Sequence, residues 1–388
     1  MENLFADRIS DVPKSFIREI LKTTIDPSCI SFAGGLPNRN YFPVQEIKES
    51  CIRVLDEAGE EALQYSTTDG YLPLREYICE RYKKKGIIVS PEDILITNGS
   101  QQGLDLISKI LLNEGDKVMI ERPGYLGAIQ SFSLYRADFL QINLENNGPV
   151  ISDIEKSIKE KSKLFYSVPN FQNPSGTTWS SEKRKEIGNL IEGSETILIE
   201  DDPYGELRFS GSHEKSMRHY SANNTVLLGS FSKVFAPSFR LGWICAKQNL
   251  MERIIVAKQA ADLHTNYFSQ RVLYDYLTHN DLDNHIVKIK EAYGTQAQAM
   301  ISSLEKHLSK EITFTRPEGG MFLWVTLPRD IDSMELFEKA MKMNVAFVPG
   351  IPFYAKNPES NTLRLNFSCS DEKTIEEGIK RLAQALKA

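Results

Sequence analysis

No run in this sequence is long and apolar enough to cross a membrane as a helix. The first residues are no signal peptide either, because Asp7, Arg8, Asp11 and Lys14 interrupt short apolar pieces. Cysteine is scarce. Cys29, Cys51, Cys79, Cys245 and Cys369 are scattered and odd in number, which argues against a disulfide framework, and they lack metal-ligand spacing. The six histidines form no metal motif, and there is no internal repeat or low-complexity tract. A net charge of −6 argues against a nucleic-acid surface. The one small basic run, Lys83-Lys84-Lys85, follows Leu74, Tyr77, Ile78 and Tyr82 and reads as the solvated end of an amphipathic helix. What remains is a cytoplasmic protein with no membrane or nucleic-acid partner. At 388 residues, 41% of them hydrophobic and 25% charged, it can bury a substantial core and is expected to form two domains.

The most informative stretch is Ser230-Phe231-Ser232-Lys233, with Arg240 seven residues further on. It follows the apolar run Val226-Leu227-Leu228, where a buried parallel strand would end. A lysine there can be desolvated, which lowers its pKa until the free amine attacks an aldehyde; hydroxyls and a guanidinium beside it can hold a phosphate dianion. The same arrangement recurs along the chain. Ile94-Leu95-Ile96 leads into Asn98-Gly99-Ser100-Gln101, and Val118-Met119-Ile120 into Pro123-Gly124-Tyr125. Leu164-Phe165-Tyr166 precedes Gln172-Asn173-Pro174-Ser175-Gly176, and Ile197-Leu198-Ile199 precedes Asp201 and Tyr204. In an open α/β sheet ligands sit outside the carboxyl ends of the strands, so these polar clusters are expected to converge on one crevice.

With these runs the chain resembles the fold-type I, pyridoxal phosphate-dependent aminotransferases of class I/II. Within them it is most similar to the branch of 2-aminoadipate and kynurenine aminotransferases and to the effector domains of MocR-type regulators. Further matching runs are Ser31 to Pro37, Leu63 to Ser66, Glu200 to Leu207, Gly229 to Trp243, Glu318 to Val325, Val345 to Gly350 and Leu363 to Ser368. They span nearly the whole chain in the family's order. The resemblance implies an α/β fold: a large domain with a mostly parallel seven-stranded sheet flanked by helices, and a smaller α+β domain. The boundaries it gives are 45–270 for the large domain, with 1–44 and 271–388 together forming the small one.

The resemblance also assigns roles. Lys233 matches the lysine that carries the cofactor as an imine and, once released, serves as general base; Asp201 matches the carboxylate that keeps the pyridine nitrogen protonated. Tyr204 and Asn173 match the groups that hydrogen-bond the ring's phenolic oxygen, and Tyr125 matches the aromatic stacked on its face. Gly99, Ser100 and Gln101, at a helix start, together with Ser230, Ser232 and Arg240, match the phosphate cup. Arg364 matches the arginine that grips the substrate α-carboxylate, for which a two-pronged donor is suited. Tyr65 matches the tyrosine that reaches the phosphate of a neighbouring subunit, implying a homodimer.

Two positions depart from the family pattern. Ser238 stands where glycine is common after the Ala-Pro pair, so the loop before Arg240 is expected to be less permissive in backbone angle. Ser175 replaces threonine, a minor change. For substrate choice, Phe16, Ile17, Ile20 and Leu21 fall on one face of a helix-like piece that turns Arg18 away, and Arg18 is a candidate partner for a distal carboxylate. Gly34 and Gly35 would let backbone approach the substrate. The expected function is transfer of an amino group from an L-amino acid to a 2-oxo acid, 2-oxoglutarate above all, in alternating half-reactions. The alternatives are a MocR-type effector domain, for which no winged-helix region precedes the matching part, and a lyase or racemase using the same cofactor.

Overall fold

The computed structural model describes residues 4–10, 12, 20 and 28–388. Fourteen strands occur among them: β1 Ile30–Ser31, β2 Ile94–Thr97, β3 Lys117–Arg122, β4 Asp138–Glu145, β5 Gly148–Pro149, β6 Leu164–Ser167 and β7 Ile197–Asp201, then β8 Thr225–Ser230, β9 Gly242–Cys245, β10 Thr313–Phe314, β11 Phe322–Thr326, β12 Val345–Ala346, β13 Val348–Pro349 and β14 Thr362–Asn366. The main sheet runs β2-β9-β8-β7-β6-β3-β4-β5. The seven expected strands are there, and the two-residue β5 adds an eighth by pairing antiparallel with the edge strand β4. Apart from it, only β9 is antiparallel to its neighbours.

The short apolar runs become strands because helices cover both faces of the sheet. Every residue of β2 and β6 is buried, as is the centre of β3. Such runs carry no alternation because neither face meets water. The helix Ser100–Leu111 follows β2 and buries Leu104, Leu106 and Ile107 against this sheet. It can lie close because position 103 is glycine: a Cβ there would stand 2.9 Å from Leu228 Cδ2.

A second, four-stranded antiparallel sheet has the order β10-β11-β14-β13. Arg364 sits on its inner strand β14, opposite Trp324 on one side and Val348 on the other. The segment after β1 is tied to this part of the chain: β1 pairs parallel with β12, and the Asn366 N–H donates to the Phe32 carbonyl at 2.8 Å. That brings Ala33 to Gly35 over the carboxyl ends of the main-sheet strands, where β7 ends on Asp201 and β8 on Ser230.

Candidate active site

Between the two sheets lies a cleft of about 630 Å³. Gly35, Gly99, Ser100, Gln101, Tyr125, Asn173, Asp201, Tyr204, Ser230, Ser232, Lys233, Arg240 and Arg364 all line it. Gly34 and Tyr65 do not, and Arg18 lies outside the described residues. A smaller cavity of about 360 Å³ lies beside Arg81, Lys85 and Glu206. There Glu206 lies 2.6 Å from Arg81 and 3.4 Å from Lys85, whereas the larger cleft gathers the residues that the sequence singles out.

Lys233 follows β8 in a tight turn, half-buried, and its Nζ donates to the Gly35 carbonyl at 2.7 Å. Burial pushes this amine down to about 8, with the nearby Arg364 charge acting in the same direction. A sizeable neutral fraction therefore exists near neutral pH, as a nucleophile or proton acceptor requires.

Asp201, at the end of β7, is buried. Its Oδ2 accepts a 2.8 Å hydrogen bond from the Tyr166 hydroxyl, while its Oδ1 is buried with no hydrogen-bond partner among the described residues. Desolvation raises the carboxyl to about 7, although Tyr166 and the nearby Ser100 hydroxyl pull it back. An unsatisfied buried carboxylate oxygen facing a cleft is where a protonated ring nitrogen fits.

Arg364 is buried among described residues that offer it no carboxylate. Nη1 donates to Asn173 Oδ1 at 2.9 Å and Nη2 to the Ala33 carbonyl at 2.7 Å, but Nε has no partner. Its guanidinium lies 4.3 Å from the centre of the Phe322 ring and 5.2 Å from that of Phe353. Burial lowers its pKa to about 10, so the group stays charged at neutral pH in a place where a charge is costly without a counter-ion. A carboxylate entering the cleft would supply that counter-ion.

The cup at the opposite end is built from backbone as much as from side chains. Gly99 has φ +74°, and a Cβ there would stand 2.6 Å from Arg240 Nη2, so glycine is required on both counts. Ser230 Oγ donates to Ser232 Oγ at 2.9 Å, and Ser100 opens a helix whose first N–H groups have no intrahelical acceptor. Ser238 is not asked for a left-handed backbone angle. Pro237–Phe239 forms a 3₁₀ turn, and the left-handed residue is Arg240 itself, at φ 55°.

Tyr204 is buried, and its phenol is pushed above the usual range, first by desolvation and then by Tyr125. Tyr125 lies stacked toward Tyr166 at 6.4 Å. Tyr166 is the residue that sequence reasoning passed over: it closes an apolar strand run, and nothing local marks its hydroxyl as bound for Asp201.

A primary amine of lowered pKa, an unpaired carboxylate oxygen, a phenol with an amide, and an anion cup thus share one cleft, and these groups fit pyridoxal phosphate. The sequence matches the family model of aminotransferases of class I and II over residues 31–382. The chain belongs to this family. An aromatic-amino-acid aminotransferase of Thermococcus litoralis is 42% identical over all of this chain and 94% of its own length, and a 2-aminoadipate transaminase of Thermus thermophilus is 40% identical over 97% and 94%. A crystal structure of Pyrococcus horikoshii kynurenine aminotransferase, in complex with PMP, superposes with a TM-score of 0.94 at 42% identity, covering 100% of this chain and 97% of that one. Transcriptional regulators of the HTH type from Bacillus subtilis and Escherichia coli match more distantly, at 29% and 28% identity over 96% of this chain. Full-length likeness to the enzymes makes this aminotransferase an enzyme acting on amino and oxo acids. No helix among its described residues is long and apolar enough to cross a membrane.

Proposed function

We propose that this aminotransferase works in the cytoplasm as a homodimer, using pyridoxal 5′-phosphate to move the amino group of an L-amino acid onto a 2-oxo acid, with 2-oxoglutarate as acceptor. The observation that carries this reading is the buried Arg364, without a carboxylate partner among the described residues, in the same cleft as the lowered-pKa amine of Lys233. The cofactor supplies an electron sink for the carbanion left when the Cα proton is removed. Lys233 would hold it and would take and return the proton. Asp201 Oδ1 would keep the ring nitrogen charged, Tyr204 and Asn173 would hold the phenolic oxygen, and Tyr125 would cover the ring. Arg240, Ser230, Ser232 and the backbone from Gly99 to Gln101 would take the phosphate, while Arg364 would take the α-carboxylate and Gly34 and Gly35 would leave room for substrate.

Residues 45–270 are read as the large domain, and 1–44 with 271–388 as the small one. The homodimer reading draws support from Tyr65, 80% exposed and standing edge-on to His264 at 5.9 Å, with Leu63 and Leu263 also exposed. In this reading Tyr65 meets the phosphate held by the neighbouring subunit. Arg18 is proposed to pair with a distal carboxylate, so that glutamate or 2-aminoadipate is an accepted donor.

The test is a panel of L-amino acids added to the purified holoenzyme, following its absorbance and the keto acids released. Conversion to the pyridoxamine form with a stoichiometric keto acid supports transamination. Ammonia release, loss of chirality without keto acid, or binding without turnover would instead support a lyase, a racemase or an effector domain. Arg18→Ala should lower turnover of acidic donors more than that of apolar ones, and an equal loss in both would reject that assignment.

A further inference from the structure

The helix Gln248–Asp262 ends against ordinary helix chemistry. Its last residue is an acid at the negative end of the helix dipole, and the next, Leu263, sits at φ 64° and ψ −62°, a conformation rare for a side chain with a Cβ. Four residues before the end, the Lys258 side chain is 0% exposed. Adjacent violations of local preference are expected where another requirement overrides stability. Neither Lys258 nor Asp262 lines the cleft.

What they touch is the loop that enters the cup. Asp262 Oδ2 accepts from Asn98 Nδ2 and from Gln102 Nε2, both at 2.7 Å, and Oδ1 accepts from Lys258 Nζ at 2.9 Å. Lys258 also donates to Gln102 Oε1 at 3.0 Å, which in turn accepts the Asn98 N–H at 2.9 Å. The Asn98 carbonyl receives Arg240 Nη2 at 3.3 Å. One carboxylate therefore grips the residues on both sides of Gly99, Ser100 and Gln101. Its negative charge is neutralised by the buried ammonium, so it does not repel an anion held by the loop.

We propose that Asp262 and Lys258 are positioning residues for the phosphate-binding loop, clamping Asn98 and Gln102 so that the loop and Arg240 are fixed before the dianion arrives. The inference rests on the reading of the cleft as a pyridoxal phosphate site. A preorganised cup gains affinity by having less freedom to lose on binding. The benefit is confined to ligands that carry the phosphate.

The test compares pyridoxal phosphate with dephosphorylated pyridoxal, each titrated by absorbance into apoprotein prepared from the holoenzyme. Asp262→Asn should weaken pyridoxal phosphate binding about tenfold, the scale of one charge-assisted hydrogen bond, and leave pyridoxal within about twofold. Asn98→Ala, which leaves the helix end intact, should show the same selective loss and guards against misfolding of the first variant. Unchanged phosphate affinity in both variants, or an equal loss for both ligands, would overturn the clamp. A wild-type protein that bound the two ligands equally would overturn the reading of the cleft and the clamp with it.

Discussion

The Tyr166 hydroxyl holds Oδ2 of Asp201 at 2.8 Å and leaves Oδ1 of the same carboxylate buried without a partner among the described residues. The two oxygens are thereby made unequal: one is spent on orientation, the other is free for a cationic ring nitrogen. Removing the hydroxyl costs the carboxylate a donor, so its pKa rises further and it becomes a weaker anion. Tyr166→Phe should lower kcat at least about tenfold, the scale of one hydrogen bond to a charged group, with the fold unchanged. Single-turnover kinetics check it, and a wild-type rate would remove Tyr166 from the site.

Arg364 gives the second prediction. Its fork meets the cleft from an inner strand, and lysine in its place offers neither two parallel donors nor the planar group that lies over Phe322. Arg364→Lys should reduce kcat/KM for α-amino acids by about 30- to 100-fold, the scale of losing a buried charge-assisted pair. Turnover of a primary amine without a carboxylate should change little. Equal losses for both substrates would mean that the arginine does not bind the carboxylate.

The fold and most of the site were legible because both are written locally. Unalternating apolar runs such as Leu164-Phe165-Tyr166 mark strands buried on two faces, and polar clusters after them mark the crevice. Gly99 and Arg240 lie far apart in sequence, and the close approach that would set a Cβ at 99 against the guanidinium is carried by no local pattern. Tyr166, Lys258 and Asp262 went unseen for the same reason. A tyrosine ending an apolar run and a Lys/Asp pair four residues apart on a helix look like core and surface until tertiary packing aims their polar atoms. The eighth strand was invisible because two residues, Gly148 and Pro149, carry no periodicity.

Lys233 supplies a pH dependence. Its pKa is lowered to about 8, first by burial and then by the Arg364 charge. Condensation of apoprotein with pyridoxal phosphate needs the neutral amine, so its rate should rise with pH up to about 8 and then level off. Replacing Arg364 with methionine removes a repelling cation, which favours the ammonium and should move the midpoint upward. Stopped-flow absorbance against pH checks both. A rate still climbing through pH 10 would show an ordinary lysine.

Glu121 carries the last prediction. It is buried on β3, and its carboxyl is raised to about 8 by desolvation. It nevertheless accepts three donors: the Val168 N–H at 3.0 Å, Trp179 Nε1 at 2.9 Å and Gln172 Nε2 at 3.3 Å. These anchor the loop that carries Asn173 into the cleft. The folded pKa lies above the unfolded one, so the stabilising contribution is full below the unfolded carboxylate pKa and is lost as pH rises through about 8. Apoprotein should therefore melt at falling temperature between about pH 5 and pH 8. Glutamine cannot ionise, but its amide turns a donor toward groups that also donate, so Glu121→Gln should destabilise the fold by about 1–3 kcal/mol while flattening that pH slope. Calorimetry across this range separates the two effects. A slope as steep in the variant as in the wild type would place the titrating group elsewhere, with Glu200 and Asp201, both raised to about 7 by burial, next in line.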